Sequence, residues 1–489
     1  MTRGNRVLQK IILAMSLVLL WMWVIASTRL QSLQGIGLQQ ERAREEAFSN
    51  TLIHGSPSTK SRHHVPSIGY AITITSCGPY NDTMLHAATA VARMVQNISA
   101  RPDNDFPNYR LHAFCDPIGV SVGCQTILKR LNYTVWTLPN PVNETLVQEQ
   151  SERYYKYANT NGCCGLSEFL KLYAYTLTKH DAVVHLDVDV VLIKPMNDVF
   201  QVLIHQDQEA YRRLDRISPP PRRGPDEEQG HDDTPLSSIQ AFITKDYTAA
   251  ETLTNRQLLF SQNDTNKLTV QGGFFVVRPN QTVFREMVRI VETESVHYTS
   301  GGSWNNTMNG AMWGAPQIQG LLGYYYSFVA ADTAIELHPC FYNNIMASPT
   351  YDNRNGPKCM IPFQSPCPDC RKTPVDSVFV AHPIFCFKPW QCTHWKDQER
   401  FIRSAPCRQY LHRWSSAVRD SEYMWIESGL EWNAQRIDDS VLMGDEKESY
   451  LLPHVYRGYC LRNRTFVPLE FQENSLLPKR PGLETLVGT

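Results

Sequence analysis

The chain has 489 residues, 42% of them hydrophobic, which is more than one ordinary core holds and implies one large domain with appendages or two domains. Lys and Arg number 47 against 48 Asp and Glu, a net charge of −1, so there is no basic footprint for nucleic acid.

Residues 1–10 carry Arg3, Arg6 and Lys10 and no acid, and residues 11–26, IILAMSLVLLWMWVIA, carry no charge. As a helix that stretch rises about 24 Å, a few Å short of the average hydrocarbon core, and extension back to Val7 with Lys10 snorkelling closes the gap. A transmembrane signal anchor over 11–27 is expected, short enough to suit a Golgi or endoplasmic-reticulum bilayer. The basic tail of 1–10 then lies in the cytosol and the rest in the lumen, as a single-pass type II protein. Val24-Ile25-Ala26 also fits a signal-peptide cleavage site, while Trp21 and Trp23 fit an interfacial belt; the anchor is the reading adopted. Asn-x-Ser/Thr acceptors at Asn81, Asn97, Asn132, Asn143, Asn263, Asn280, Asn305 and Asn463 all follow this segment. So do all 13 cysteines, most of which an oxidising lumen would pair, and the odd count leaves at least one free or intermolecular. Residues 28–66 are polar and read as a stem.

Residues 68–76, IGYAITITS, form the first strand, followed by Cys77-Gly78-Pro79-Tyr80 and a helix over about 82–95. Strand, turn, helix is how a nucleotide-binding α/β domain begins. A strand over 110–114, a helix over 125–131 and a strand over 133–138 continue the alternation. The most informative stretch is 181–195, DAVVHLDVDVVLIKP. Its residues 182–186 are β-branched and apolar, long enough for a buried parallel strand and too short for a helix. Asp187 and Asp189 close it, on one side of an extended backbone, at the strand end where open α/β sheets bind ligands. Two carboxylates among so much hydrophobe need a partner, and a hard Mg2+ or Mn2+ with phosphate oxygens suits them; an ion-paired strand terminus is the plain alternative.

Residues 196–205 read as a helix. Residues 212–235, RRLDRISPPPRRGPDEEQGHDDTP, are Pro-rich, charged and poor in core formers, and a disordered surface insertion is expected there. Strand character resumes over 240–244. In 270–279, VQGGFFVVRP, Gly272 and Gly273 ahead of an apolar strand permit close approach of backbone to a ligand, or a bulge. Cys359, Cys367, Cys370, Cys386, Cys392 and Cys407 crowd one region; Cys367-Pro-Asp-Cys370 has zinc-knuckle spacing, but without a second close pair disulfides are expected. Adjacent Cys163 and Cys164 are expected to bridge outward rather than to each other. Residues 396–489 read as a mixed C-terminal appendage opening with an aromatic-rich helix over 410–430, for acceptor binding or for packing on the catalytic domain.

Three blocks stand in order: 169–200, FLKLYAYTLTKHDAVVHLDVDVVLIKPMNDVF; 314–326, GAPQIQGLLGYYY; and 378–390, VFVAHPIFCFKPW. Together they resemble the donor-site segments of glycogenin and the retaining glycosyltransferases of family 8, over about residues 68–390. The resemblance implies an α/β, GT-A-like fold, a Rossmann-like nucleotide-binding mixed sheet flanked by helices. It would form a single catalytic domain over 67–395 behind the transmembrane anchor. It implies transfer of a sugar from a UDP-sugar to a luminal glycan or protein acceptor, with retention. Asp187, Asp189 and His382 would hold Mn2+ (or Mg2+), with Val188 between the carboxylates in the donor site. Lys171 would lie near the diphosphate, and Lys388, six residues after His382, would bind the β-phosphate. Tyr80 would stack on the uracil, with Ile74 and Ser76 as backbone or hydroxyl contacts, and Asp246 would bond donor-sugar hydroxyls. Gln271 takes the family's Asn position toward the sugar, ahead of Gly272 and Gly273.

The chain departs from the family at two further places. Gln319-Gly320 match its helix start, but the preceding Asp is Ile318, which rules out a covalent Asp–glycosyl intermediate there. Gln317 or Gln319 would then supply the polar group on the face opposite the leaving group, or the leaving phosphate itself would assist acceptor attack. The family's small Gly between His382 and Lys388 is Phe385. The rival readings are a membrane-tethered sugar-binding protein without catalysis and a transferase of another GT-A family; the complete metal shell favours the enzyme.

Overall fold

The computed structural model describes residues 64–78, 83–217, 235–247, 266, 268–294, 298, 304–305, 307, 310, 312–346, 350–352, 356–358, 368–386, 388, 405–427, 431–432 and 471–472. The expected cytosolic tail, anchor and almost all of the stem therefore lie outside the described residues. Among the described residues no helix is long and apolar enough to cross a membrane.

A seven-stranded mixed sheet runs in the order β3-β2-β1-β4-β7-β6-β8. Its strands are β1 Ile68–Ile74, β2 Tyr109–Cys115, β3 Tyr133–Thr137, β4 Ala182–Leu186, β6 Ala241–Lys245, β7 Val270–Val277 and β8 Ala334–Glu336. Strands β1 to β4 pair in parallel, with Ile68 opposite both Tyr109 and Ala182. Strand β7 lies antiparallel between β4 and β6, with Leu186 opposite Phe274. The central strands are buried on both faces, so they read as near-continuous apolar runs.

Alternate residues serve opposite layers, as the strand period of two requires. Ile68, Tyr70, Ile72, Val184, Phe274 and Val276 face one core, while Ala71, Val183, Phe275 and Val277 face the other. The first core is closed by α1 Thr83–Ser99 and α2 Val122–Arg130, the latter capped by Ser121 Oγ accepting from Cys124 N–H at 3.1 Å. The second is closed by α4 Glu152–Thr160, which follows α3 Glu144–Gln150, by the 3₁₀ helix Gly165–Thr176, and by α5 Gln281–Glu294 and α6 Ile318–Tyr324.

The chain order places β2 on one side of β1 and β4 on the other. The connections leaving β1 and β4 diverge there, and open α/β sheets bind ligands in that crevice. Two further short strands, β5 Val191–Leu192 and β9 Val380–Ala381, pair antiparallel and carry a distant part of the chain to the end of β4.

Several expectations change here. The stretch that leads into β4 is the 3₁₀ helix Gly165–Thr176. Arg212 and Arg213 of the expected insertion end a short helix, Gln208–Arg213, and 218–234 lie outside the described residues. The aromatic helix begins earlier than expected, as α7 Ala405–Glu427, and buries Tyr410 and Trp414 in the first core against α1. The expectation of disulfides over a zinc knuckle holds: Cys370 pairs with Cys340, and Cys77–Cys124 and Cys386–Cys407 are also disulfides. Cys359, Cys367 and Cys392 lie outside the described residues.

Candidate active site

Strand β4 ends at Leu186, and Asp187 begins a turn closed by Val190 N–H on Asp187 O at 3.3 Å. The two aspartates are therefore not on one side of an extended backbone, as their spacing suggests; the turn brings them together. Asp187 N–H donates to Gly273 O at 2.8 Å, which fixes the turn against the start of β7. His382 follows β9, with its N–H on Asn344 O at 2.9 Å. A carboxylate oxygen of Asp187, one of Asp189 and a ring nitrogen of His382 all lie within 4.8 Å of one another.

This donor set, two carboxylates and one imidazole, fits a hard-to-borderline divalent cation. His382 Nε2 lies 3.1 Å from Asp189 Oδ1, and its buried Nδ1 has no hydrogen-bond partner. Burial lowers the His382 pKa, opposed by the Asp187 charge, so the ring is neutral at neutral pH and its lone pair can ligate. A Cβ on Gly273 would lie 2.2 Å from the His382 ring and 3.1 Å from Asp187 Oδ2. Glycine is thus needed for the approach of this ring and carboxylate, and the pair Gly272-Gly273 forms the floor of the site. A Cβ on Gly272 would in turn meet Gln319 Cγ at 2.9 Å.

Lys171 is buried, and its ammonium bonds Glu168 Oε2 at 2.7 Å, Asp187 Oδ1 at 2.8 Å and Gly272 O at 3.4 Å. An ammonium has three donors, and here all three have partners within the chain. The geometry therefore makes Lys171 a holder of Asp187. Burial alone would push the Asp187 carboxyl up, but the Lys171 and His382 charges outweigh it and bring it down to about 2. Burial lowers the Lys171 pKa, and the Asp187 and Glu168 charges reverse this and raise it. Lys388 lies directly on the Asp189 carboxylate, and burial pushes its pKa down.

At the start of β7, Gln271 Oε1 accepts from Gly273 N–H at 2.8 Å and from Asn343 Nδ2 at 3.1 Å. Asn343 sits in the left-handed region at φ 61° and also donates to Thr244 Oγ1 at 2.9 Å. With its oxygen doubly engaged, Gln271 has only its amide N–H groups left to bond a further partner. Asp246 is buried beside β7, its N–H on Thr269 O at 2.8 Å, and its charge reaches His382. Gln319 is half-buried, with Nε2 on Trp313 O at 3.2 Å. Gln317 is buried, and one N–H of its Nε2 bonds Ala158 O of α4 at 2.7 Å. Ile318 is fully buried.

Ile74 O, at the end of β1, accepts from Asp116 N–H, Ser76 is exposed, and Val188 is half-buried in the aspartate turn. Tyr80 lies outside the described residues. Glu168, Asn343 and Asn344 were missed by sequence reasoning. Glu168 had a signal, its i,i+3 spacing to Lys171 on one helical face; the two asparagines had none, because they act across the fold. Cys163 and Cys164 make no outward bridge: both are free, with their sulfurs 2.9 Å apart. The other described cysteines are paired at distance or, as Cys115, buried in β2.

No protein-family model matches the sequence, and no curated protein matches it. Among solved structures, the chain is similar to the WbbM bifunctional glycosyltransferase in its apo form, with 11% identity over 77% of this chain and 52% of that one and a TM-score of 0.38. The chain thus spans about half the length of WbbM. It is also similar to the galactosyltransferase LgtC in complex with donor and acceptor sugar analogues, with 12% identity, coverage of 71% and 95%, and a TM-score of 0.38. Mouse xyloside xylosyltransferase 1 gives 9% identity, coverage of 57% and 87%, and a TM-score of 0.29. Scores and identities this low decide nothing about the chemistry of this chain, which rests on its own side chains.

Proposed function

We propose that this chain is a metal-dependent, retaining glycosyltransferase that resembles family 8 and moves a sugar from a UDP-sugar to a hydroxyl of a luminal glycan or protein. The observation that carries the reading is the convergence of His382, distant in the chain, on Asp187 and Asp189 at the switch point of the sheet. Ion pairing alone would explain the carboxylates, with Lys171 and Lys388 as partners. It would not explain a buried neutral imidazole pressed into a glycine-lined recess beside them.

A divalent cation on these three residues would supply Lewis-acid charge to the donor diphosphate. Lys388 offsets the negative charge that grows on the β-phosphate as the glycosidic bond breaks, since the donors of Lys171 are spent elsewhere. Gln271 donates to a hydroxyl of the donor sugar, and Asp246 accepts from another. Ile318 offers no nucleophile, so the acceptor hydroxyl attacks the anomeric carbon from the side the phosphate leaves. Its proton passes to the departing phosphate oxygen. Gln319 supplies the polar group near the opposite face. The hydrophobic segment at 11–27 anchors the enzyme in a Golgi or endoplasmic-reticulum membrane.

The test is UDP release from a panel of UDP-sugars in Mn2+, followed by NMR of the anomeric configuration of the product. One UDP-sugar should be turned over well above the rest, with retention. Inversion, or no Mn2+-dependent UDP release from any donor, would overturn the reading.

A further inference from the structure

Between α4 and the 3₁₀ helix, the chain turns through Gly162-Cys163-Cys164-Gly165. Gly162 has φ 124° and Gly165 φ 61°, both in the region that favours glycine. The turn is held from both ends. A Cβ on Gly162 would lie 2.0 Å from Gln317 Oε1, one on Gly165 would lie 2.4 Å from Asn159 Oδ1, and Leu166 N–H donates to Asn159 Oδ1 at 3.2 Å. Cys163 is exposed, Cys164 is half-buried, and their sulfurs lie 2.9 Å apart. The remaining described cysteines are three disulfide pairs and Cys115, which is buried.

We propose that Cys163 and Cys164 form a reversible vicinal disulfide at the edge of the candidate active site, a redox modification distinct from the three long-range bridges. It stands independently of the glycosyltransferase reading. Consecutive Cα atoms are about 3.8 Å apart, below the roughly 4.4–6.8 Å usual for disulfides. The closed ring is therefore strained, and strained, exposed disulfides are the readily reduced ones. A soft-metal site is the competing use of the same atoms, because Glu168 offers an oxygen within 4.8 Å of both sulfurs. Among the described residues those three groups are all that a cation there would have, and the Zn2+ arm of the experiment below separates the two uses.

The step balances with a small-molecule disulfide as oxidant. The Cys163 thiolate attacks one sulfur of glutathione disulfide and expels a glutathione thiolate. The Cys164 thiol then loses its proton and attacks the Cys163 sulfur of the mixed disulfide, expelling the second glutathione. One S–S bond is lost, one is made, and two electrons pass to glutathione. Cys163 is the exposed sulfur of the pair, which favours it as the attacking group.

The experiment equilibrates the full chain in glutathione buffers from oxidising to reducing, traps thiols with an alkylating agent, and reads the peptides by mass spectrometry. In excess glutathione disulfide, the peptide holding Cys163 and Cys164 should be two hydrogens lighter than its reduced form and carry no alkyl group. It should take up two alkyl groups at a reduced-glutathione concentration that leaves Cys77–Cys124, Cys340–Cys370 and Cys386–Cys407 intact. In Cys163→Ser, Cys164 should carry one alkyl group or one glutathione in every buffer. Two alkylatable thiols under oxidising conditions, linkage of either sulfur to another cysteine, or reduction only together with the long-range bridges would overturn the proposal. Protection by Zn2+ that a chelator reverses would also overturn it, in favour of a metal site.

Discussion

Lys171→Met replaces the ammonium that joins Glu168 to Asp187 with an apolar chain of similar shape. The Lys171 and Glu168 side chains are 6% and 11% exposed, so the variant strands a carboxylate away from water. Removing one partner of a buried ion pair typically costs about 3–5 kcal/mol. The Asp187 side chain is 30% exposed, and water meets part of its charge, which puts the cost near the lower end, about 3 kcal/mol. The sign of the pH dependence follows from the native shift. The Asp187 carboxyl is lowered to about 2, so its stabilising contribution is present above the ordinary Asp value of about 3.9 and is lost as pH falls through the lowered one. Without Lys171 the largest charge opposing burial is gone, the Asp187 carboxyl moves up, and protonation relieves it. The stability gap between native and variant chains should therefore be widest near pH 7 and narrow toward pH 4. Urea unfolding followed by tryptophan fluorescence at both pH values measures it. A gap under about 1 kcal/mol at pH 7, the size of a surface pair, or one that does not shrink with acid, would refute the reasoning.

Lys388→Ala should lower turnover about a hundred- to thousand-fold, as loss of one preorganised electrostatic contact does, with little change in the donor Michaelis constant; steady-state kinetics separate the two. Asn343→Ala removes one of two donors that fix the Gln271 oxygen, worth about 1 kcal/mol. The ratio of kcat/KM between hydroxyl-epimeric UDP-sugars should fall about fivefold while Mn2+-dependent UDP binding holds. Alkaline carbonate extraction should leave the full chain in the membrane pellet, and endoglycosidase should raise its gel mobility. Asn97, Asn132 and Asn143 are exposed to receive glycans.

The centre of the fold was legible because its strands are apolar on both faces and short, so β1, β4 and β7 stand out as runs bounded by turns. Asp187 and Asp189 were legible for the same reason, as carboxylates closing a run of Val and Leu. What the sequence could not carry is what long-range packing decides. Lys171 reads as a cation near the diphosphate, and only the fold shows Glu168 and Gly272 taking its other donors. Asn343 holds Gln271 across 72 residues from a left-handed conformation that no local pattern announces. Cys163 and Cys164 were expected to reach outward, but a turn fixed by Gln317 and Asn159 faces the thiols to each other. His382 is an intermediate case: on an apolar strand it reads as a core histidine, and only its resemblance-based spacing to Lys388 marked it as a ligand.

The most direct test is calorimetric binding of UDP with Mn2+ and with chelator, for the native chain, Asp189→Asn and His382→Ala. The native chain should bind UDP with Mn2+ and lose that binding in chelator. Each variant should lose more than about tenfold in Mn2+-dependent affinity while still unfolding cooperatively. Equal UDP affinity with and without the cation, or a His382→Ala chain that binds like the native one, would contradict a metal-dependent nucleotide-sugar site at Asp187, Asp189 and His382.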